Sequence, residues 1–220
     1  MKKIQENLFL KLLAIFGMAG PCVFSIVITL LGIIWIDYDP LIEVLSALGA
    51  ENAPHATIMN VFGFGLLGLS IILFSIALYK SIKKHIFTTI SVFLLGFSGI
   101  IILLLGFIPC DVGCRHLTLS SKIHWLISYI DMFSIPVAII ILMYPLKIDN
   151  KWGKAWAYFP LELIIFFCIM LPLTLIPGFL ALYGLMQRIG MALILFWMFI
   201  MSIKLYLLIK QEKVNEINDS

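Results

Sequence analysis

Six long apolar runs divide the chain, and they restrict the folds open to it. Each run is near the roughly 20 residues that an α-helix needs to cross the hydrocarbon core of a bilayer. The runs lie at residues 12–36, 58–79, 86–108, 123–146, 159–183 and 184–209. Backbone amides in hydrocarbon need internal hydrogen bonds, and these continuous runs lack the alternating pattern of a membrane barrel. We therefore predict an all-α, polytopic membrane protein with its six transmembrane helices in one bundle, a single domain over residues 1–220.

The composition agrees with this class. Hydrophobic residues make up 62% of the chain and charged residues 12%, and the mean hydropathy is +1.11. These values lie outside the usual range of soluble domains. We assign the net charge of +3 to insertion topology and predict no nucleic-acid partner.

The basic residues predict the orientation. Twelve of the 15 lysines and arginines fall on one side of the six crossings, and only Arg115, Lys122 and Arg188 fall on the other. Cytoplasmic loops carry the excess of Lys and Arg. We expect cytoplasmic N and C termini, with residues 210–220 as a polar cytoplasmic tail. Pro177-Gly178 is expected to end the fifth helix early, before a tight turn into the sixth.

The first outer loop contains three acidic residues, Asp37, Asp39 and Glu43. Asp39 and Pro40 suit the start of a helix, and the apolar residues through Leu48 follow helical spacing. We predict a short amphipathic helix that lies on the outer interface or over the bundle. Its acidic residues either cap it or form a rim for a cation or a polar head group.

The stretch "GFIPCDVGCRH", residues 106–116, brings two cysteines to the outer end of the third helix. Cys110 and Cys114 can approach within disulfide distance on this oxidising side, which would fix the direction of Asp111. The alternative is a zinc site of Cys110, Cys114, His116 and His124 with His55 nearby, although this spacing is not an established zinc pattern. The disulfide is the leading interpretation, and we predict no metal and no cofactor.

The fourth helix carries polar residues on one face. His124, Ser128 and Asp131 are at positions i, i+4 and i+7, and Asp131 lies roughly 12 Å deep at 1.5 Å per residue. Their order does not suit a Ser-His-Asp triad. We predict an outward binding pocket completed by Asn60, Asp111 and Arg188, with Arg188 able to reach Asp131. The competing interpretation is a polar network that only fixes helix packing.

Four segments in this order carry a family resemblance. They are "YDPLIEVLSALG", "NAPHATIMN" at the start of the second helix, "FIPCDVGC" at the end of the third, and His124 at the start of the fourth. The chain resembles the prokaryotic membrane family called domain of unknown function 998. That family is more distantly similar to a six-helix group of autophagy modulators and glycolipid-anchor remodelling proteins. The resemblance implies a multi-pass protein of the prokaryotic plasma membrane that faces outward and handles lipid.

Three functions stay open at this stage. The first is binding of membrane lipid at the outer leaflet, the second is a lipid-modifying enzyme that uses His124 with Asp111 or Asp131, and the third is a solute or proton-coupled transporter. The apolar middle of the helices disfavours a transport path. Membrane lipid is the expected partner, and a second copy of the chain is another candidate.

Overall fold

The computed structural model describes residues 2–173 and 182–218, with side chains over 5–170 and 182–211. Regular secondary structure in these ranges is helical, and six helical segments there are long and apolar enough to cross a membrane. The prediction of an all-α, six-helix membrane fold is confirmed. The helices are α1 Lys2–Ile34, α2 Ala56–Ser81, α3 Ile86–Leu105, α4 Leu119–Ile148, α5 Gly153–Tyr158, α6 Leu161–Leu173 and α7 Tyr183–Asn218.

The fifth crossing is built from two helices. Helices α5 and α6 together supply the apolar segment Gly153–Met170. Helices α1, α4 and α7 continue past the apolar runs of the sequence, because a helix does not need to end where the hydrocarbon ends. The turn expected at Pro177-Gly178 lies outside the described residues.

The spanning helices form a ring. Helix α1 packs between α2 and α7, and α2, α3 and α4 follow in order, each against the next. Helix α5 packs against α4, and α6 contacts both α4 and α7 and completes the ring. We call the side of the bundle with residues 35–55 and 106–118 the loop end, and the side with both termini the terminal end. The predicted orientation places the loop end outside the cell.

Helices α2 and α3 cross at a pair of glycines. A Cβ atom added to Gly68 would lie 2.5 Å from the carbonyl oxygen of Gly99, and one added to Gly99 would lie 2.7 Å from that of Gly68. Small residues let helix backbones approach closely in membranes. The two glycines therefore set the separation of α2 and α3.

A group of apolar side chains packs together near the middle of the bundle, on the terminal side of Leu67. The rings of Phe74 and Trp197 meet edge to face, with centroids 5.8 Å apart. Ile71, Leu95 and Met198 surround them and are buried, and the void among these side chains is about 10 Å³. A void of this size holds no more than about one water molecule. We call these five residues the apolar layer.

The first loop differs from its prediction. An α-helix was expected from Asp39, but the chain makes a turn there and then a short 3-10 helix, Leu45–Gly49, which packs over the bundle. Two carboxylates within the turn accept its backbone hydrogen bonds. The Asp39 carboxylate accepts from the Leu41 N–H, and the Glu43 carboxylate accepts from the Asp39 N–H. The predicted helix was wrong because contacts with α7, described below, supply partners to this backbone.

Candidate functional site

A cavity of about 330 Å³ lies inside the loop-end half of the ring. Its walls come from all six crossings and from Leu45 and Ser46 of the first loop. Most of its described lining is apolar and aromatic. Seven described lining residues carry nitrogen or oxygen in their side chains: Ser46, Trp125, Ser128, Tyr129, Asp131, Tyr183 and Gln187. The volume is at the lower end of the roughly 300–1,000 Å³ range of ligand pockets.

The cavity reaches the outer surface of the bundle between α4 and α6. On α4, Tyr129, Phe133 and Val137 line the cavity and are also 47%, 50% and 43% exposed. On α6, Cys168 lines the cavity and its side chain is exposed. These residues lie on helices long and apolar enough to span a membrane, so the exposed part of the lining is on the side of the bundle.

Asp131 is the acidic group of the cavity. It is 9% exposed, and its Oδ1 accepts a hydrogen bond from the hydroxyl of Ser98, a fully buried residue of α3. Among the described lining residues no other side chain is charged. The sequence of the undescribed stretch, 174–181, contains no ionisable residue. The carboxyl group of Asp131 therefore faces the cavity without a basic neighbour in its wall.

His124 lies behind the cavity wall. It is 2% exposed, and its Nδ1 is 2.6 Å from the carbonyl oxygen of Ile108. A carbonyl only accepts hydrogen bonds, so Nδ1 carries the proton in this contact. Nε2 is buried without a partner among the described residues, and the ring meets Phe64 edge to face. His124 is not among the described lining residues of the cavity.

Ser128 lies between His124 and Asp131 on α4 and contacts the backbone of the first. Its hydroxyl donates to the carbonyl of His124, one turn earlier in α4, at 2.7 Å. Ser128 and Asp131 line the cavity. Two members of the predicted polar stripe therefore share the cavity, while His124 joins α4 to the end of α3.

Asp111 organises the loop that enters α4. Its carboxylate accepts hydrogen bonds from the backbone N–H groups of Arg115 and Leu117 at 2.5 Å each and of Thr118 at 3.1 Å. Burial raises the pKa of Asp111, but the N–H groups of Thr118, Leu117 and Arg115 outweigh burial and hold that pKa below its ordinary value. The carboxylate is used by its own loop and is not among the described groups lining the cavity.

The cysteine pair braces the same loop. The sulfur atoms of Cys110 and Cys114 are at bonding distance, with Cα atoms 5.0 Å apart, which confirms the predicted disulfide. Gly113 lies between them at φ 70°, in the left-handed region that glycine tolerates. The Cys114 sulfur is 3.7 Å from the hydroxyl of Ser46, a cavity residue. The loop therefore lies directly over the cavity.

The histidines of the alternative zinc site do not come together with the cysteines. His116 stacks on the ring of Trp125, with centroids 4.4 Å apart, while His55 is exposed at the start of α2. In the described part of the chain no three His, Cys, Asp or Glu side chains are arranged to hold a metal ion.

Arg188 fastens α7 to the first loop. Its guanidinium donates to the carbonyls of Pro40 at 2.6 Å and Glu43 at 2.8 Å, and to the hydroxyl of Tyr38, above whose ring it also lies. The neighbouring Gln187 side chain accepts from the Leu45 N–H at 2.7 Å. The expected approach of Arg188 to Asp131 was wrong, since the loop carbonyls take up its donors.

The remaining predicted residues also belong to the loop framework. Asp37 and Asp39 are exposed, and the carboxylates of Asp39 and Glu43 accept the hydrogen bonds that close the turn of the first loop. Asn60 lies in a π-helical stretch of α2, Met59–Gly65, and donates from Nδ2 to the Gly49 carbonyl at 3.0 Å. None of these four residues is among the described lining of the cavity.

The sequence did not predict four residues that make contacts in the cavity or the first loop. Ser98 is the partner of Asp131, Gln187 and Tyr38 hold the first loop, and Ser46 joins the loop to the cavity. A weak signal existed for Ser98, a hydroxyl residue within the apolar run of α3, and for Gln187, an amide within that of α7. Tyr38 and Ser46 lie in the segment "YDPLIEVLSALG" that carries the family resemblance, but nothing in that segment indicated their contacts.

Comparisons with other proteins place the chain at the level of a family. The search of curated proteins gives no match, and neither does the search of solved structures. A family model does match, over residues 18–204, which covers the four inner crossings, both loops of the loop end and part of the first and last crossings. The chain belongs to the family described as "Protein of unknown function (DUF998)".

Proposed function

We propose that the protein binds a single-chain amphiphile of the membrane in the cavity at the loop end. The observation that carries this proposal is the lateral opening between α4 and α6, where lining residues are also exposed to the lipid phase. A ligand can enter from the bilayer through this opening without crossing water. The predicted orientation makes the source the outer leaflet.

The lining suits an apolar chain with one polar end. Phe24, Phe64 and Leu67 form the inner wall, and Asp131 and Ser128 supply polar atoms on α4. Small-molecule sites combine a mostly apolar lining with a few placed polar groups. A volume of about 330 Å³ favours one chain over a complete lipid with two chains.

The packing below the cavity supports binding over transport. The apolar layer fills the bundle on the terminal side of the cavity, around the Phe74 and Trp197 rings. A carrier needs a polar path that continues to the other side of the membrane. The position of His124 behind the wall likewise gives no support to its use as a general base on a ligand in the cavity.

The test is a substitution that fills the cavity with a larger side chain, followed by measurement of the lipid that copurifies with the protein. Ser128→Phe places a ring in the cavity, and Ser134→Phe is the matched control, since Ser134 is six residues further along the same helix and absent from the described lining. Each protein is purified in a mild non-ionic detergent, checked for helicity and a single size-exclusion peak, and extracted for lipid mass spectrometry. We expect a stoichiometric single-chain species in wild type and Ser134→Phe, and its loss in Ser128→Phe.

Two results would contradict the proposal. One is a wild-type protein whose copurified lipid has only the composition of the surrounding membrane. The other is a specific lipid that stays equally abundant in folded Ser128→Phe.

A further inference from the structure

We infer that the amphiphile bound in the cavity carries a cationic amine, with Asp131 as the residue that selects it. The inference rests on the proposed function and names its ligand class. Three observations support it. The carboxyl group of Asp131 is the acidic group of the described cavity wall, its described hydrogen bond comes from a neutral hydroxyl, and the basic residues of the loop end are exposed or bind the first loop.

Apolar contacts alone cannot make the cavity selective. Lipid tails are as apolar as a wall of Leu, Ile and Phe, so a chain that moves from the bilayer into the cavity gains little hydrophobic free energy. Discrimination between amphiphiles must come from the polar group. Asp131 is the acidic residue of the described wall, so the head group that meets it decides which ligand is favoured.

No basic side chain among the described residues pairs with the carboxyl group of Asp131. Its described hydrogen bond comes from the neutral Ser98 hydroxyl. At the loop end, Arg115 and Lys122 are exposed, and Arg188 donates to loop carbonyls and Tyr38. A carboxylate in an apolar site is stabilised when an opposite charge reaches it. An ammonium group supplies that charge and up to three hydrogen-bond donors.

The surrounding groups fit a cation better than an anion. The aromatic residues Trp125, Tyr129 and Phe133 of α4 also line the cavity, and aromatic faces attract ammonium groups. A phosphate or carboxylate would meet the Asp131 carboxyl without a described basic side chain in the wall. The same cavity therefore disfavours anionic head groups.

The test compares two probes with equal chains, dodecylamine and dodecanol, in a non-ionic detergent at neutral pH. The reporter is Cys168, a free thiol at the cavity opening, in a Cys22→Ser background. A bound probe slows the reaction of Cys168 with N-ethylmaleimide, and the probe concentration that halves the rate gives its affinity. We expect dodecylamine to bind roughly 30-fold more tightly than dodecanol, the lower range for a buried charge pair.

Three variants assign the preference to Asp131. Asp131→Asn removes the charge and should abolish the preference, while Asp131→Glu keeps the charge and should retain most of it. Glu162→Gln is the matched control, because Glu162 is an exposed carboxylate near the terminal-end start of α6 and is absent from the described lining. It should leave the preference unchanged.

The possible outcomes separate the two proposals. If both probes protect Cys168 of the wild-type protein equally, the inference is wrong and the proposed function stands. If neither probe protects Cys168, both fail. A preference that persists in Asp131→Asn also overturns the role of Asp131. The wild-type comparison decides the ligand class even if Asp131→Asn does not fold.

Discussion

Asp111 shows how one carboxylate can build a loop. Its oxygens accept three backbone N–H groups, and residues Cys114 and His116 in the enclosed segment have positive φ values of 52° and 61°. Such backbone conformations are costly for residues other than glycine. The carboxylate and the neighbouring disulfide together hold the segment in this conformation.

Replacing Asp111 with Asn should therefore lower the melting temperature by several degrees at pH 7, because the amide has one accepting oxygen in place of two charged ones. The pKa of Asp111 is lowered in the folded protein from its ordinary value of 3.8, so its ionised form stabilises the fold above that pH. The stabilisation is lost as the pH falls through the lowered folded pKa. The melting-temperature difference from wild type should be constant between pH 8 and 5 and shrink below about pH 4.

Thermal unfolding in detergent, followed by tryptophan fluorescence, measures this difference. Asp37→Asn is the control at an exposed carboxylate of the same end and should have little effect. A difference that grows on acidification would contradict the assigned role.

At the scale of elements, the crossing of α2 and α3 depends on the absence of two side chains. The π-helical stretch Met59–Gly65 lies beside this crossing. Its Asn60 carbonyl is close to Gly106: a Cβ atom added to Gly106 would lie 2.6 Å from the Asn60 carbonyl oxygen. π-Helical turns occur frequently at functional sites. Here the stretch turns Asn60 toward the first loop and places Phe64 in the cavity wall.

Gly99→Ala should destabilise the protein by about 1–3 kcal/mol, since its Cβ would force α2 and α3 apart. Gly32→Ala is the control, because its Cβ would meet Tyr38 at an ordinary 3.6 Å. Gly68→Ala with Gly99→Ala should cost less than the sum of the single changes, since one separation relieves both. Unfolding by titration with sodium dodecyl sulfate gives these free energies. Equal effects of Gly99→Ala and Gly32→Ala would argue against a close crossing.

At the scale of the whole molecule, orientation is the prediction that decides which leaflet the cavity meets. Single cysteines at Glu51→Cys and Lys154→Cys mark the loop end and the terminal end, both at exposed positions, in a background with Cys22 and Cys168 replaced by Ser. A membrane-impermeant maleimide should label the first in intact cells and the second only after the membrane is opened. The reverse pattern would place the cavity in the inner leaflet.

The sequence carried the information for the crossings because hydropathy and charge are local properties. It also identified the disulfide, and it singled out Asp131, which is buried. It could not show the partner of Arg188, since that contact joins residues 150 apart in the chain. The π-helix and the burial of His124 behind the wall were equally hidden, because both depend on how neighbouring helices pack.

The apolar layer affects how easily a charge could move through the bundle. A cation moving through the bundle would leave the cavity and enter a region filled by Phe74, Trp197 and their aliphatic neighbours. Placing a charge at such a depth costs at least about 2.5 kcal/mol. The layer therefore opposes the movement of a charge from the cavity toward the terminal end of the bundle.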